Sequence, residues 1–360
     1  MRIEICFFGS YDRNYSKNVV LLKGFKNQGV KVVHCYHPNY FSLFHYLSLI
    51  QQFLKKARNC DVIFVAFFGH YDVWFAWILA KIFRKKLVFD PLISIYNTRV
   101  EDRKYFKKNS FRAKFYILFD FMNAFLADHV FIDTYAQLNY YQKKFHVKGK
   151  KFFVIRVGAD ETVLKPEPNF IKSPIQLLFY GSYQPSQGAQ KIIEAANLLK
   201  KENFEWIFIG QGQDRPKVEK YAKRNKLKNV AFIDTIPFDE LVRYMNDANI
   251  IFGVFGNTSK TKIVIHNKVF QAIAMGRVLI TQETPAVKEI LKNGENVILT
   301  KPNAKSIARE ILKLKDDKGK IKKISLKARN TFMRNFTTEK VAESAQKAFE
   351  KVLSTSSKNR

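Results

Sequence analysis

Cysteine is scarce in this chain: Cys6, Cys35 and Cys60 are odd in number and lack metal-ligand spacing. That excludes a disulfide framework and gives no support to a zinc site. No uncharged apolar run reaches the roughly 18 residues that a membrane-spanning helix needs. The opening "MRIEICFFGS" has no secretory pattern and runs straight into an apolar stretch, so the cytoplasm is the expected compartment. Acidic residues are the other shortage. There are 31 Asp and Glu against 62 Lys and Arg, a formal net charge of +31. The excess is spread along the chain, about +14 before residue 170 and about +17 after it. Such a field favours anionic partners, although a general lysine-rich bias accounts for the charge equally well. No aromatic-basic RNA motif accompanies it, so nucleic acid is not expected.

What is present is a 360-residue chain, 47% hydrophobic and 26% charged, long enough for two globular domains. Both halves alternate short apolar runs with helical periodicity, the pattern of a parallel sheet covered by helices. In the first half, strands are predicted at 2–9, 31–36, 61–67, 86–90, 129–133 and 152–158. Helices are predicted at 17–28, 42–57, 73–83, 111–127 and 134–145. In the second, strands fall at 175–181, 205–210, 229–234, 249–255, 277–282 and 296–300. The helices there are 188–201, 214–226, 238–247, 267–275, 285–291 and a final helical region. The expected fold is α/β, with Rossmann-like domains over 1–165 and 175–335 joined by a linker at 166–174. A C-terminal helix over 336–360 is expected to pack back on the first domain. Ligands of such sheets sit outside the carboxyl ends of the strands, so chemistry is expected in a cleft that the two domains face.

The stretch "HNKVFQAIAMG", residues 266–276, aims polar groups at one place. With Asn267 as N-cap and Gly276 past the end, Val269, Ala272 and Ile273 form an apolar stripe. Lys268 and Gln271, three apart, share another face. The free N–H groups and dipole at the helix start favour an anion, Lys268 adds a full charge, and Gln271 adds a donor and an acceptor. The set suits a diphosphate with a ribose behind it; a capped helix with a solvated lysine is the plainer alternative. The preceding "GVFGNTSKTKIVI" (253–265) is rich in Gly, Ser, Thr and Lys, as phosphate-cradling loops are, and Lys260 and Lys262 could reach the same anion.

These residues carry a resemblance. "GVFGNTSKTKIVIHNKVFQAIAMGRVLITQETPAVKEIL" resembles the donor-site segment of family-4-type glycosyltransferases, the glycosyl transferases group 1 with the GT-B fold. "FYGSYQPSQGAQKIIEAANLL" (179–199), "FIGQGQD" (208–214), "FDPLISIYNTRVEDR" (89–103) and "RVGADETVLKP" (156–166) continue it over most of residues 1–350. The resemblance implies donor phosphates at the start of the 267–275 helix, contacted by Lys262, Asn267 and Lys268, with Gln271 in the place of a ribose-binding Glu. Ile263 stands where that family has its other Glu, Ser182 and Gln187 stand where it has Arg and Lys, and His266 replaces a Pro. Lys260, Lys262 and Lys268 are the compensating charges, with His266 beside them.

Further candidates flank this centre. Gly9 and Ser10 form a strand-to-helix turn that in the family faces the donor phosphates; a simple turn is the alternative. Gly181 and Ser182 follow the strand at 175–181. Gly210 and Gly212 make room for the nucleotide base without completing a dinucleotide fingerprint. Glu289 is placed to touch ribose or to be a solvated helix charge. Asp90, ending a strand before Pro91, is a candidate to bind a sugar hydroxyl or take the acceptor proton, or else caps its own loop. His70, Ser94, Tyr96 and Asn97 are weaker candidates. Segments 103–127 and 41–58 join basic residues to apolar helical faces. They read either as core helices or as contacts to an anionic membrane surface.

The expected activity is transfer of a sugar from a nucleotide-sugar to a cell-surface glycan or lipid-linked acceptor. By resemblance it would be retaining and metal-independent, on the inner face of the cell membrane. No cofactor is expected; the nucleotide-sugar is a substrate of unspecified base. A nucleotide-sugar epimerase of the same fold, or a degenerate anion-binding protein, are the alternatives.

Overall fold

The structure is a computed structural model that describes residues 3–39, 42–168 and 173–357. Arg2 of the first expected strand, Phe41 of the 41–58 segment and residues 169–172 of the expected linker lie outside them. By contacts the chain divides into two units. Residues 1–100, 106–160 and 336–360 form the first, and 101–105 and 161–335 form the second.

The first unit runs β1 (Glu4–Gly9), α1 (Ser16–Asn27), β2 (Lys31–Tyr36), α2 (His45–Gln52), β3 (Val62–Val65) and α3 (Val73–Ile82). It continues with β4 (Lys86–Phe89), α4 (Phe111–Leu126), β5 (His129–Ile132), α5 (Tyr135–Phe145) and β6 (Phe152–Val154). Its six strands are all parallel, in the order β2-β1-β3-β4-β5-β6. The second unit runs β7 (Ile175–Tyr180), α6 (Ala189–Leu198), β8 (Phe204–Ile209), α7 (Arg215–Arg224), β9 (Val230–Ile233), α8 (Phe238–Asp247) and β10 (Ile250–Phe252). Then come α9 (Ser259–Ile263), α10 (Asn267–Ala274), β11 (Val278–Gln282), α11 (Pro285–Lys288), β12 (Ile298–Thr300), α12 (Ala304–Lys315) and α13 (Lys318–Asn335). Its strands are again parallel, in the order β12-β11-β10-β7-β8-β9. The last helix, α14 (Thr338–Ser357), packs on α1 in the first unit.

Both sheets are covered on each face, which is why their central strands read as unbroken apolar runs such as "VIFV" and "IIF". In the second unit Trp206 of β8 stacks on Phe252 of β10 at 5.6 Å between centroids. In the first, Phe64 of β3 meets Phe349 of α14 edge-on. Chain direction across each sheet reverses once, between β1 and β3 and between β7 and β10, so each unit has one switch point at its strand ends.

Several predicted elements are shorter than expected, among them the strand at 152–158, which ends at Val154, and the helix at 285–291, which ends at Lys288. The strand at 249–255 ends at Phe252, because Val254 N bonds to the Thr281 hydroxyl instead of a strand. The helix expected over 42–57 is regular only to Gln52 and widens into a π-turn over Phe53–Ala57. The one-turn α9 replaces the latter part of an expected open loop.

Gly24 of α1 lies where a β-carbon would strike the Thr338 carbonyl and the Ala342 methyl of α14. Substitution Gly24→Val should therefore push α14 off α1 and destabilise the first unit by about 1–3 kcal/mol, through overpacking that no rotamer relieves. Chemical denaturation followed by circular dichroism would check this.

Candidate functional site: a buried lysine at the second switch point

Helix α10 begins one residue earlier than its sequence suggests, where Asn267 was expected as the N-cap. His266 is the N-cap in extended conformation and its carbonyl accepts from Val269 N at 2.8 Å, so Asn267 is the first helical residue. No side chain caps this end. The apolar side, Val269, Phe270, Ala272 and Ile273, is buried against the sheet. Gly276, with φ of 56°, ends the helix as expected: its N–H reaches Ile273 O and Arg277 N reaches Ala272 O.

Anchored that way, α10 directs Lys268 across the carboxyl end of β7. The side chain is only 4% exposed. Its ammonium lies 4.1 Å from the Phe179 ring centroid, 5.5 Å from that of Tyr180 and 3.3 Å from Gln187 Oε1. Ring faces and an amide oxygen stabilise a cation partially, but among the described residues Lys268 forms no ion pair. Burial accordingly pushes its pKa down to about 7. At 1.36 kcal/mol per tenfold, the charged form carries a penalty on the order of 5 kcal/mol. A nearby anion would restore the charge that burial disfavours.

The surrounding backbone packs closely on the amine. Gly181, with φ of 143°, follows β7, and a β-carbon there would lie 3.1 Å from the Lys268 ammonium and against Gln187. Gly210 and Gly212 pack their backbones on the carbonyls of Gly181 and Ser182. Ser182 is exposed, and its hydroxyl accepts from Gln187 Nε2 at 3.2 Å. Gln271 lies one turn deeper, its Oε1 accepting from the Tyr180 hydroxyl at 2.8 Å. His266 is held neutral: burial and the positive charges of Lys260 and Lys268 lower its pKa, and its Nε2 has no hydrogen-bond partner. Gly181, Ser182, His266, Lys268 and Gln271 thus form one cluster.

The remaining candidates are placed differently. Lys260, half-buried, sits 3.6 Å from the Asp102 carboxylate and 3.3 Å from Gln184 Oε1, so its charge is already answered within the protein. Lys262 is exposed on α9. Glu289 closes the C-terminal end of α11. Gly9, Ser10 and Asp90 belong to the first unit, at its own switch point. Ser10 N donates to Asp72 Oδ2 at 2.7 Å, and Asp72 also holds His45 at 2.6 Å. Asp90 is buried in a 2.7 Å ion pair with Lys17, and its other oxygen accepts from Leu92 N. Asp133, buried nearby, is pushed up to about 7 by desolvation, with Lys17 pulling it down. His70 is likewise buried, and desolvation lowers it to about 4.

Sequence reasoning missed Gln187 as a contact of Lys268, Tyr180 as a partner of Gln271, and Asp102. Gln187 was legible only as a replacement for a lysine. Asp102 is distant in sequence and carries no motif.

With that geometry in place, relatives can be compared. Residues 174–317 match the family model described as Glycosyl transferases group 1. The uncharacterized glycosyltransferase MJ1069 of Methanocaldococcus jannaschii is 24% identical over 201 residues, 55% of this chain and 49% of that protein. The chain thus spans about half the length of the curated relatives it matches. Among solved structures, Anabaena Alr3699/HepE in complex with UDP superposes with a TM-score of 0.73 at 14% identity, covering 98% of this chain and 100% of that one. Sucrose-phosphate synthase from Thermosynechococcus elongatus gives 0.73 at 13% identity, with coverage of 98% and 100%. The fold is therefore that of the GT-B glycosyltransferase structures, two parallel six-stranded sheets with helices.

The lysine sets a pH signature. Below pH 7 the folded and unfolded chains both hold the Lys268 proton, and the fold carries the whole desolvation cost. Between pH 7 and the ordinary value of 10.5 only the unfolded chain holds it, so this contribution makes the fold more stable as pH rises through that window. An anion bound beside the amine reverses the shift. Inorganic pyrophosphate binding at pH 8 should take up close to one proton, measured by calorimetry in buffers of different ionisation enthalpy. Lys268→Met should abolish the uptake.

Proposed function

We propose that the protein is a glycosyltransferase that takes its sugar from a nucleotide-sugar donor, with the donor diphosphate seated beside Lys268 at the start of α10. The observation that carries this reading is the buried ammonium with no carboxylate, at the switch point of a unit matching group 1 glycosyltransferases. UDP is the first nucleotide to test, since a structural neighbour is described in complex with it.

Breaking the bond from the anomeric carbon to the donor phosphate leaves a diphosphate with an added negative charge. A protonated Lys268 and the N-terminal N–H groups of α10, already oriented and shielded from water, stabilise that charge as it grows. The reaction so drawn is metal-independent. It proceeds with retention of the anomeric configuration by analogy with the family. Gln271 and Glu289 are assigned to the ribose, and Gly210 and Gly212 to space for the base. Asp90, held by Lys17, we assign to ordering its loop rather than to proton transfer.

The acceptor is proposed to be a cell-surface glycan or a lipid-linked precursor, met at the inner face of the membrane. What supports the membrane contact is where the apolar residues of 103–127 and 41–58 ended up. Phe111, Phe115, Leu118, Met122 and Phe125 line the outer side of α4, and Phe111 is 84% exposed. Leu43, Phe44 and Leu47 are exposed at the start of α2, with Leu43 at 94%. In the 41–58 segment the opposite face is core, with Leu49, Phe53 and Ala57 buried. Ala113, Asp120, Asn123 and Ala124 are the side of α4 that packs inward. Tyr46 of α2 meets Trp74 of α3 at 5.0 Å, so exposed aromatic surface continues between those helices. The acid on α4, Asp120, is buried and accepts from Ser94 and the backbone N–H groups of Ile95 and Tyr96, so no carboxylate on that helix repels an anionic headgroup. No helix among the described residues is long and apolar enough to cross a membrane, and contact is proposed to be interfacial.

Lys268→Ala should weaken binding of UDP or a UDP-sugar by about 100-fold, as loss of a desolvated charged contact does, with Lys313→Ala unchanged. Titration calorimetry would show it, and equal effects would defeat the site assignment. Replacing Phe115 and Leu118 together by Asp should abolish sedimentation with phosphatidylglycerol vesicles while leaving UDP affinity intact.

A further inference from the structure

The five residues Glu101–Tyr105 follow the first unit's β4 and loop in sequence, yet belong by contacts to the second unit. Within them Asp102 is fully buried. Its carboxylate collects three donors from two loops: the Ser186 hydroxyl at 3.2 Å, the Thr258 hydroxyl at 3.0 Å and the Lys260 ammonium at 3.6 Å. Two hydroxyls and an ammonium around one buried carboxylate form a charge-assisted cluster, which is stronger than the same contacts between neutral groups.

The loops so joined are the ones that shape the Lys268 site. Ser186 and Gln187 lie in a single turn, Pro185–Gln187, after β7; Thr258 and Lys260 lie after β10. Main-chain bonds continue the seam, with Phe255 N on Gln187 O at 2.9 Å and Gly256 N on Ser186 O at 3.1 Å. The Thr261 hydroxyl adds a bond to Ser186 O at 2.9 Å. One residue from Ser186, the Gln187 amide oxygen reaches Lys268. Asp102 also occupies Lys260, which leaves Lys268 as the lysine of this cluster without a carboxylate.

We infer that Asp102, from outside the 174–317 segment, is a positioning residue for the diphosphate site, setting Gln187 and Lys268 by clamping the loops after β7 and β10. This rests on the reading of the Lys268 site given above. The clamp touches no substrate; it acts through the turn at 185–187.

The test uses the full chain and inorganic pyrophosphate, whose binding involves neither base nor sugar. Asp102→Ala should weaken pyrophosphate binding about tenfold, and Asp102→Asn, which keeps one acceptor oxygen and the volume, about threefold. In a Lys268→Ala background Asp102→Ala should have no further effect, since both act on one contact. Lower thermal stability with unchanged pyrophosphate affinity, in whichever of the two variants folds, overturns the inference. So does tighter binding, the result if Asp102 only masked Lys260, and so does full additivity with Lys268→Ala. Loss of binding in Lys268→Ala with none in either Asp102 variant sinks Asp102 alone. Unchanged binding in Lys268→Ala sinks the diphosphate site and this inference with it.

Discussion

An ammonium group withdrawn from water with no carboxylate beside it is expensive, and the second unit is arranged around one. Rings of Phe179 and Tyr180 and the Gln187 amide oxygen cover Lys268, yet burial still pulls its pKa to about 7. Folding alone gains little from this arrangement, because a leucine of similar length would pack in the same space without the desolvation penalty. An anion beside the amine would offset the penalty, restoring the charge where the α10 dipole already points. The neighbouring groups pack tightly around it: Gly181, where a β-carbon would crowd the ammonium, and His266, whose pKa is lowered by burial and the nearby lysines.

Topology supplies the location. In an order of β12-β11-β10-β7-β8-β9, the strands leaving in opposite directions from β7 and β10 open a crevice at their carboxyl ends. Turns after both strands enter it, and α10 follows the second. Each turn is then held by polar contacts rather than apolar ones, because it lies at a sheet end where backbone groups need partners. The first unit solves the same problem at β1 and β3 with Asp72, which accepts from Ser10 N and His45.

The first unit's surface shows a different use of the same helical periodicity. A stripe of large apolar residues on α4 and its small-residue counterpart have the same spacing in sequence. The side with Ala113, Tyr116, Asp120, Asn123 and Ala124 packed inward, and α4 lies against α3. The large side was left outward, flanked by lysines and arginines.

Much of the architecture was readable before any coordinates, and for a physical reason. Parallel strands buried on both faces leave continuous apolar runs, and the helices between them keep a 3.6-residue period, so eleven of the twelve strands fall within predicted runs and β8 starts one residue before its own. Lys268 and Gln271 were legible for the same local reason, as neighbours on one helical face ending at Gly276. Sequence periodicity could not say which apolar side of α4 faces inward, because that depends on what α3 leaves room for. Nor could it pair Lys260 with Asp102 or Lys17 with Asp90, since side chains 158 and 73 positions apart meet only once the sheets have formed. Local pattern therefore determined the elements and the polar start of α10, while tertiary packing alone decided which lysine there was left, among the described residues, without a carboxylate.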